Sequence, residues 1–179
     1  YVQETALGPY CLSLRHKLTE SGEEKTLGLF AGVYENGIMT FYHPTMNGHV
    51  ALARHERFIE TGNAEMRSSF LEKARELMDH GQRRGGAVIW PYPGALGNGE
   101  PGEWLSAMGQ GHAIAVLARG YEETGDKAFL EAAMGAFSPF RRTIAEGGVV
   151  ADRSDFGTFF EEYAYRDPQR QFHTLNGMM

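Results

Sequence analysis

One short pattern occurs twice in this chain, and it leaves few folds open. Gly48-His49-Val50-Ala51 and Gly111-His112-Ala113-Ile114 each open a segment, 63 residues apart. Each segment runs into a near-identical turn, Glu60-Thr61-Gly62-Asn63 and Glu123-Thr124-Gly125-Asp126. Beyond the turns, Phe70-Leu71-Glu72 answers Phe129-Leu130-Glu131, with the offset shortened to 59. Glycine supplies the left-handed backbone that ends a helix, and Asn or Asp caps the next one. The unit is therefore helix, tight turn, helix. A single such pair cannot bury its apolar face, whereas stacked pairs can. Met66, Phe70, Ala74, Leu77 and Met78 fall on one helical face, as do Phe129, Ala132, Ala133, Ala136, Phe137 and Phe140 later. Pro139 lies where the second stripe runs out and is expected to stop it. The expected fold is mostly α, a toroid or a solenoid of repeated α-hairpins. Glycine-rich and aromatic-rich stretches between the pairs favour an (α/α) toroid, whose inter-helix loops build a central cleft.

The first 45 residues read differently. Thr26–Tyr34 is apolar and broken by glycine, Glu35-Asn36-Gly37 is a hairpin turn signal, and Ile38–Tyr42 is a short strand candidate. Pro44 should end that strand, because proline cannot donate to a ladder. The expected division is a β-rich segment over 1–45 and a helical domain over 46–179.

Composition excludes several functions. The chain has 179 residues, enough for one domain with a real core. No run of about 18 apolar residues could span a membrane. It begins at Tyr1 without a leader pattern, so a processed product or a fragment is expected. Cys11 is the only cysteine, which rules out an internal disulfide. A net charge of −6 without a basic stripe makes a poor nucleic-acid binder. An anionic polysaccharide would then need a local basic site: Arg83-Arg84, Arg141-Arg142, or Arg166 with Arg170.

Four segments look built for ligand contact. They are Thr40-Phe41-Tyr42-His43-Pro44, Val88–Pro93, Gly102–Gly111, and Phe159-Phe160-Glu161-Glu162-Tyr163 with Arg166 and Leu175-Asn176-Gly177 behind it. Aromatic rings beside loops suit sugars, whose C–H faces stack while their hydroxyls bond to polar groups. Trp90 and Tyr92, hemmed by prolines, are expected to line a loop; Trp104 opens a helix, where a core role competes with ligand contact. In a strand, Glu161 and Tyr163 would share a face. A tyrosine whose pKa is lowered from about 10 by positive charge can move protons. Metal chemistry is not expected. His43, His49 and His55 are spaced by six, and neither HExxH nor a cysteine pair occurs. Ser106 lacks a nucleophile elbow, and no phosphate loop is present.

Trp104-Leu105-Ser106-Ala107-Met108-Gly109-Gln110-Gly111 resembles the W-Y-S-A-M-A-Q-G block of the D-glucuronyl C5-epimerases of heparan-sulfate and heparosan metabolism, in their C-terminal helical domain. The resemblance continues through Ala118-Arg119-Gly120-Tyr121, Thr124-Gly125-Asp126, Pro139-Phe140, Gly147-Gly148-Val149, Glu161-Glu162-Tyr163 and Leu175-Asn176-Gly177. It covers about residues 40–179. It implies an (α/α) toroid, incomplete here, that inverts C5 of D-glucuronate to L-iduronate within a polymer. Glu162 and Tyr163 match an acid and a tyrosine at the reacting carbon, and Asn176 matches a substrate-binding asparagine. Three departures stand out: Ala164 replaces a proline, His112 replaces a glutamine, and the chain stops at Met179 before further helices with another catalytic tyrosine and an arginine. A chain without them is expected to lack part of the active site.

The resulting expectation is a catalytic set of Tyr163, Glu162 and Tyr42. The substrate-binding set is Trp90, Tyr92, Trp104, Gln110, Arg166 and Asn176, with no metal and no cofactor. The partner is a uronic-acid-containing polysaccharide, not nucleic acid or membrane, and the resemblance implies a homodimer. C5 lies beside a carboxylate, so its proton is very weakly acidic. A site must neutralise that carboxylate and place an acid and a base on opposite ring faces. Tyr163 with Glu162 would serve one face, Arg166 the carboxylate, and Tyr42 or a tyrosine beyond this chain the other face. A polysaccharide lyase shares the first step, a non-catalytic carbohydrate-binding toroid shares the cleft, and a hydrolase of the same architecture would use a carboxylate pair.

Overall fold

The structure, a computed structural model, describes residues 10–23, 29–34, 37–94, 102–153 and 157–167. Strands β1 (Leu29–Tyr34) and β2 (Gly37–Tyr42) pair antiparallel, with Leu29 opposite Tyr42 and Tyr34 opposite Gly37. The expected hairpin is present; its turn residues Glu35 and Asn36 lie outside the described residues. The chain passes at once into α1 (Pro44–Thr61), so Pro44 both ends the strand and starts the helix. Proline suits that first helical position because its missing N–H would have had no partner there.

The repeat appears as two α-hairpins. Helix α1 turns into α2 (Ala64–His80), and α3 (Ala107–Thr124) turns into α4 (Lys127–Ala136). Both turns use a glycine at φ 68°, Gly62 and Gly125. Both following helices are capped by the next side chain: Asn63 accepts from Glu65 and Met66 N–H, and Asp126 accepts from Ala128 N–H. Helices α1 and α3 have 18 residues each, whereas α4 has ten against seventeen in α2. Helix α4 stops earlier than its apolar stripe, at Ala136, because the chain tightens into a 3-10 turn over Ser138–Arg141 that contains Pro139.

The four helices form two layers. In α1, Val50, Ala51, Leu52 and Ala53 are all buried, so more than one side is covered. Helix α3 buries Ala113, Val116 and Leu117 together with His112 and Arg119. Helices α2 and α4 bury a single stripe each, Phe70, Ala74 and Leu77 in one and Phe129, Ala132, Ala133 and Ala136 in the other. Thus α1 and α3 are inner and α2 and α4 outer. The inner helices run parallel: Gly48 lies against His112 near their starts, and His55 Nε2 meets Glu123 Oε1 at 3.3 Å near their ends. Arg67 of α2 closes on the same carboxylate at 2.8 Å, tying three helices together. Leu14 and Leu18, around a 3-10 turn at Arg15–Lys17, join the same core.

Two further strand pairs were not expected from the sequence. Strand β3 (Gln82–Arg84) pairs with β4 (Ala87–Ile89) through the two-residue turn Gly85-Gly86, and β5 (Val150–Arg153) pairs with β6 (Gly157–Phe160). The fully buried β4 seats the first of these against α4, while Ile89, Leu105, Ile144, Val149 and Ala164 build a second small core below it. No helix among the described residues is long and apolar enough to cross a membrane. The fold is mostly helical, with short antiparallel strand pairs at the helix ends.

Candidate functional site

Strand parity and two helix starts bring the aromatic residues together. Along β2 and into α1, Phe41 and His43 share one side while Tyr42 takes the other. His43 caps α1, its Nδ1 accepting the Met46 N–H at 3.3 Å. Ser106 caps α3, its Oγ accepting the Gly109 N–H at 3.1 Å. Between them, Tyr92 and Trp104 exchange two main-chain hydrogen bonds of 2.8 and 3.1 Å. That bridge stacks their rings, with centroids 4.4 Å apart and planes at 11°. Trp104 extends the array to Tyr163 at 5.3 Å and Tyr165 at 5.5 Å. On the other side Tyr92 meets the His43 ring edge-on at 5.1 Å and Phe41 at 6.2 Å. The result is an aromatic floor across the N-terminal ends of α1 and α3, in which Tyr92, Trp104 and Tyr165 are buried and Tyr163 is the exposed member.

The Tyr92 hydroxyl sits at the junction of those helix ends. It lies 2.7 Å from Thr45 Oγ1, receives the Thr45 N–H at 3.4 Å and stands 3.5 Å from His43 Nδ1. A side chain at Gly109 would come within 3.3 Å of the same hydroxyl, so α3 abuts it directly. Each helix start carries roughly half a positive charge. Two parallel starts therefore favour negative charge at this end of the molecule.

Burial and neighbours set the protonation states. Burial pushes the Tyr92 phenol well above the usual tyrosine range. Tyr163 is also raised, first by partial burial, then by the charge of Glu162 and the hydrogen bond between them. This reverses the sequence expectation of a tyrosine lowered by positive charge. Desolvation lowers His43 to about 4, so its ring is neutral near pH 7. With Nδ1 accepting a backbone N–H, the ring proton resides on Nε2.

Several expected residues lie elsewhere. Trp90 is 2% exposed in the main core and donates its indole N–H to Leu77 O at 2.7 Å; it does not line a loop. Gln110 is also buried. Its Oε1 accepts the Trp90 N–H at 2.9 Å, and its Nε2 donates to Val88 O and Ala136 O at 3.1 and 3.3 Å. Both hold the frame together instead of facing a ligand. Tyr42 stacks on His80 at 3.9 Å and packs against the main core, on the far side of β2 from the floor. Glu161 and Tyr163 do not share a strand face, because β6 ends at Phe160: Glu161 is fully buried, while Tyr163 is 37% exposed. Asn176 lies outside the described residues.

Tyr92, Trp104, Glu162 and Tyr163 are brought together. Arg166 lines an adjoining pocket of about 150 Å³ that shares Trp104 as a wall. Arg84 and Glu103 stand on the same pocket, bound to each other at 2.7 Å. Sequence reasoning missed Thr45 and Tyr165, and within the Thr40–Pro44 segment it chose Tyr42 over Phe41 and His43. The segment around residue 42 was marked, and its strand parity was the signal that would have preferred His43 over Tyr42. Among the described residues, no three His, Cys, Asp or Glu side chains gather as a metal site.

Comparison with known families covers the site residues from Arg84 onward, not Phe41, His43 and Thr45. A family described as the D-glucuronyl C5-epimerase C-terminus matches residues 84–179. A relative from Caenorhabditis elegans named D-glucuronyl C5-epimerase is 38% identical over 65 residues, 35% of this chain. That stretch is 10% of the relative's own length.

Proposed function

The chain belongs to the D-glucuronyl C5-epimerase family, in its C-terminal domain, and from that premise we propose that it converts D-glucuronate to L-iduronate within a heparosan-like polymer. The observation that carries the reading is the placement of Tyr163: partly exposed, on the aromatic floor, beside Glu162 and next to the N-terminal end of α3. The inner and outer helix layers support an (α/α) toroid whose cleft opens at this end.

The chemistry follows from the protonation states. A sugar ring packs beside Tyr163, the exposed member of the floor, with C5 toward its hydroxyl. Tyr163 carries its own proton at neutral pH, so it can accept the C5 proton only by passing that proton to Glu162 along their hydrogen bond. The C5–H bond breaks, and its electron pair delocalises into the substrate carboxylate. Arg166 and the two helix starts offset the added charge. Return of a proton to the opposite face completes the inversion. Tyr42, turned toward His80, is poorly placed for that step, so the opposite-face donor comes from another residue.

The test is wash-in of deuterium at C5 of a glucuronate polymer incubated with the protein in D2O. The wild-type chain should exchange, and Tyr163→Phe should lower the rate by about 100-fold or more. Unchanged exchange in that variant would remove Tyr163 from the mechanism. Appearance of the ultraviolet absorbance of an unsaturated uronate would identify a lyase instead.

A further inference from the structure

The pocket beside Trp104 has a composition unlike the rest of this acidic chain. Two guanidinium groups, Arg84 and Arg166, and one carboxylate, Glu103, stand around it. Ile89, Leu105, Ile144 and Ala164 supply apolar wall. Its volume of about 150 Å³ is well short of the roughly 300 Å³ at which pockets begin to enclose a whole drug-sized ligand. It therefore has room for one sugar residue or one substituent, not for an oligosaccharide.

Arg84 has its backbone held by the frame, and its guanidinium also donates to Gln82 Oε1. It ends β3, whose partner β4 is fully buried, and the Arg142 guanidinium donates to Gly85 O in the adjoining turn at 3.2 Å. The ion pair itself is not fixed in that way: the Arg84 and Glu103 side chains are 51% and 47% exposed. An exposed pair of this kind adds only about 0–1 kcal/mol of stability. Exchanging Glu103 for another oxyanion on the same guanidinium is thus a nearly balanced step. The released carboxylate simply returns to water.

We infer that this pocket is a second sugar subsite, in which Arg84 leaves Glu103 to bind the oxyanion, carboxylate or sulfate, of a residue neighbouring the one that reacts at C5. The inference rests on the proposed epimerase reading for the identity of the polymer. Trp104 links the two places, since it walls the pocket and also packs against Tyr163. Glu103 acts as a built-in competitor: it keeps Arg84 occupied until an anionic ligand arrives.

Binding of the full chain to a glucuronate-containing oligosaccharide, a sulfated one and a neutral one of equal length tests this by calorimetry. Arg84→Gln should weaken binding of the charged ligands about tenfold, the loss of one charge-assisted contact, and leave the neutral ligand unaffected. Glu103→Gln should act in the opposite direction and tighten charged-ligand binding several-fold. A purely structural ion pair predicts no such opposition. The charged ligand that loses more on Arg84→Gln identifies the oxyanion. Unchanged affinity in Arg84→Gln, or weaker binding in Glu103→Gln, overturns the inference. Deuterium exchange, measured separately, keeps the two readings apart: exchange without dependence on Arg84 removes the subsite alone, and Arg84-dependent binding without exchange removes the epimerase alone.

Discussion

Gln110 shows how far a residue's chemistry depends on where its side chain ends. Its amide makes three hydrogen bonds in a site almost closed to water, to Trp90 N–H, Val88 O and Ala136 O. These join β4, α3 and α4 through one side chain. Gln110→Leu would leave one buried donor and two buried acceptors without partners. Unsatisfied buried groups cost about 1–3 kcal/mol each, with overlap between neighbours. The expected loss is about 3 kcal/mol, read as a lower urea midpoint. If Gln110 instead contacts substrate, the variant keeps its midpoint and loses affinity. In the sequence, an amide within a motif reads equally well as either. Tyr42 and His43 carry the opposite lesson. Which of two adjacent residues faces the floor depends on strand parity alone, and the start of α1 at Pro44 fixes that parity. Tyr163 illustrates a third case, because the sign of its shift depends on Glu162 lying against it, a contact that no spacing rule specifies.

At the level of elements, the α-hairpins were the most legible part of the chain. Their signals are local: a glycine that must turn left-handed, and a side chain one residue later that caps the next helix. Gly62 and Gly125 have open space around the position of a Cβ, so replacing either by Ala changes conformation without creating a clash. Each substitution should cost about 1–2 kcal/mol, the ordinary penalty for a left-handed Ala. The double variant should show roughly the sum, since a Cβ at either glycine meets no other atom within 4 Å. Unfolding in urea checks this, and no change in either single variant would mean the turns tolerate another geometry. The Gly85-Gly86 turn was equally local and could have been read as a hairpin, since both residues have positive φ in a two-residue loop. The aromatic floor was not legible in the same way. Its members, at positions 41, 43, 92, 104, 163 and 165, come from four separate stretches of chain. Their stacking depends on the Tyr92–Trp104 bridge, which pairs two residues outside any regular strand.

The whole molecule is joined along the α1–α3 seam, and that seam contains the repeat's own histidines. His49 and His112 occupy equivalent positions in the two hairpins and meet edge-on, with ring centroids 4.4 Å apart. Both are held below the usual histidine value, His49 at about 3 and His112 at about 4, with desolvation as the first cause in each. For His49 the neighbouring His112, Lys17, His16 and His43 add to the effect. The unfolded chain takes up these protons near pH 6.5, whereas the folded chain does not. Between pH 6.5 and about 4 the unfolded state therefore binds more protons, and stability falls as the pH falls. The folded protein should be most stable above pH 6.5, and its urea midpoint should drop steadily toward pH 4. His112→Gln removes one of the two titrating groups and the charge that would face His49, so its midpoint should depend less on pH over the same range. The comparison needs only the difference between pH 7.5 and pH 5 in each protein, which cancels any constant effect of the substitution. An equal drop in both would place the acid sensitivity outside this seam, in groups such as His43 at the aromatic floor.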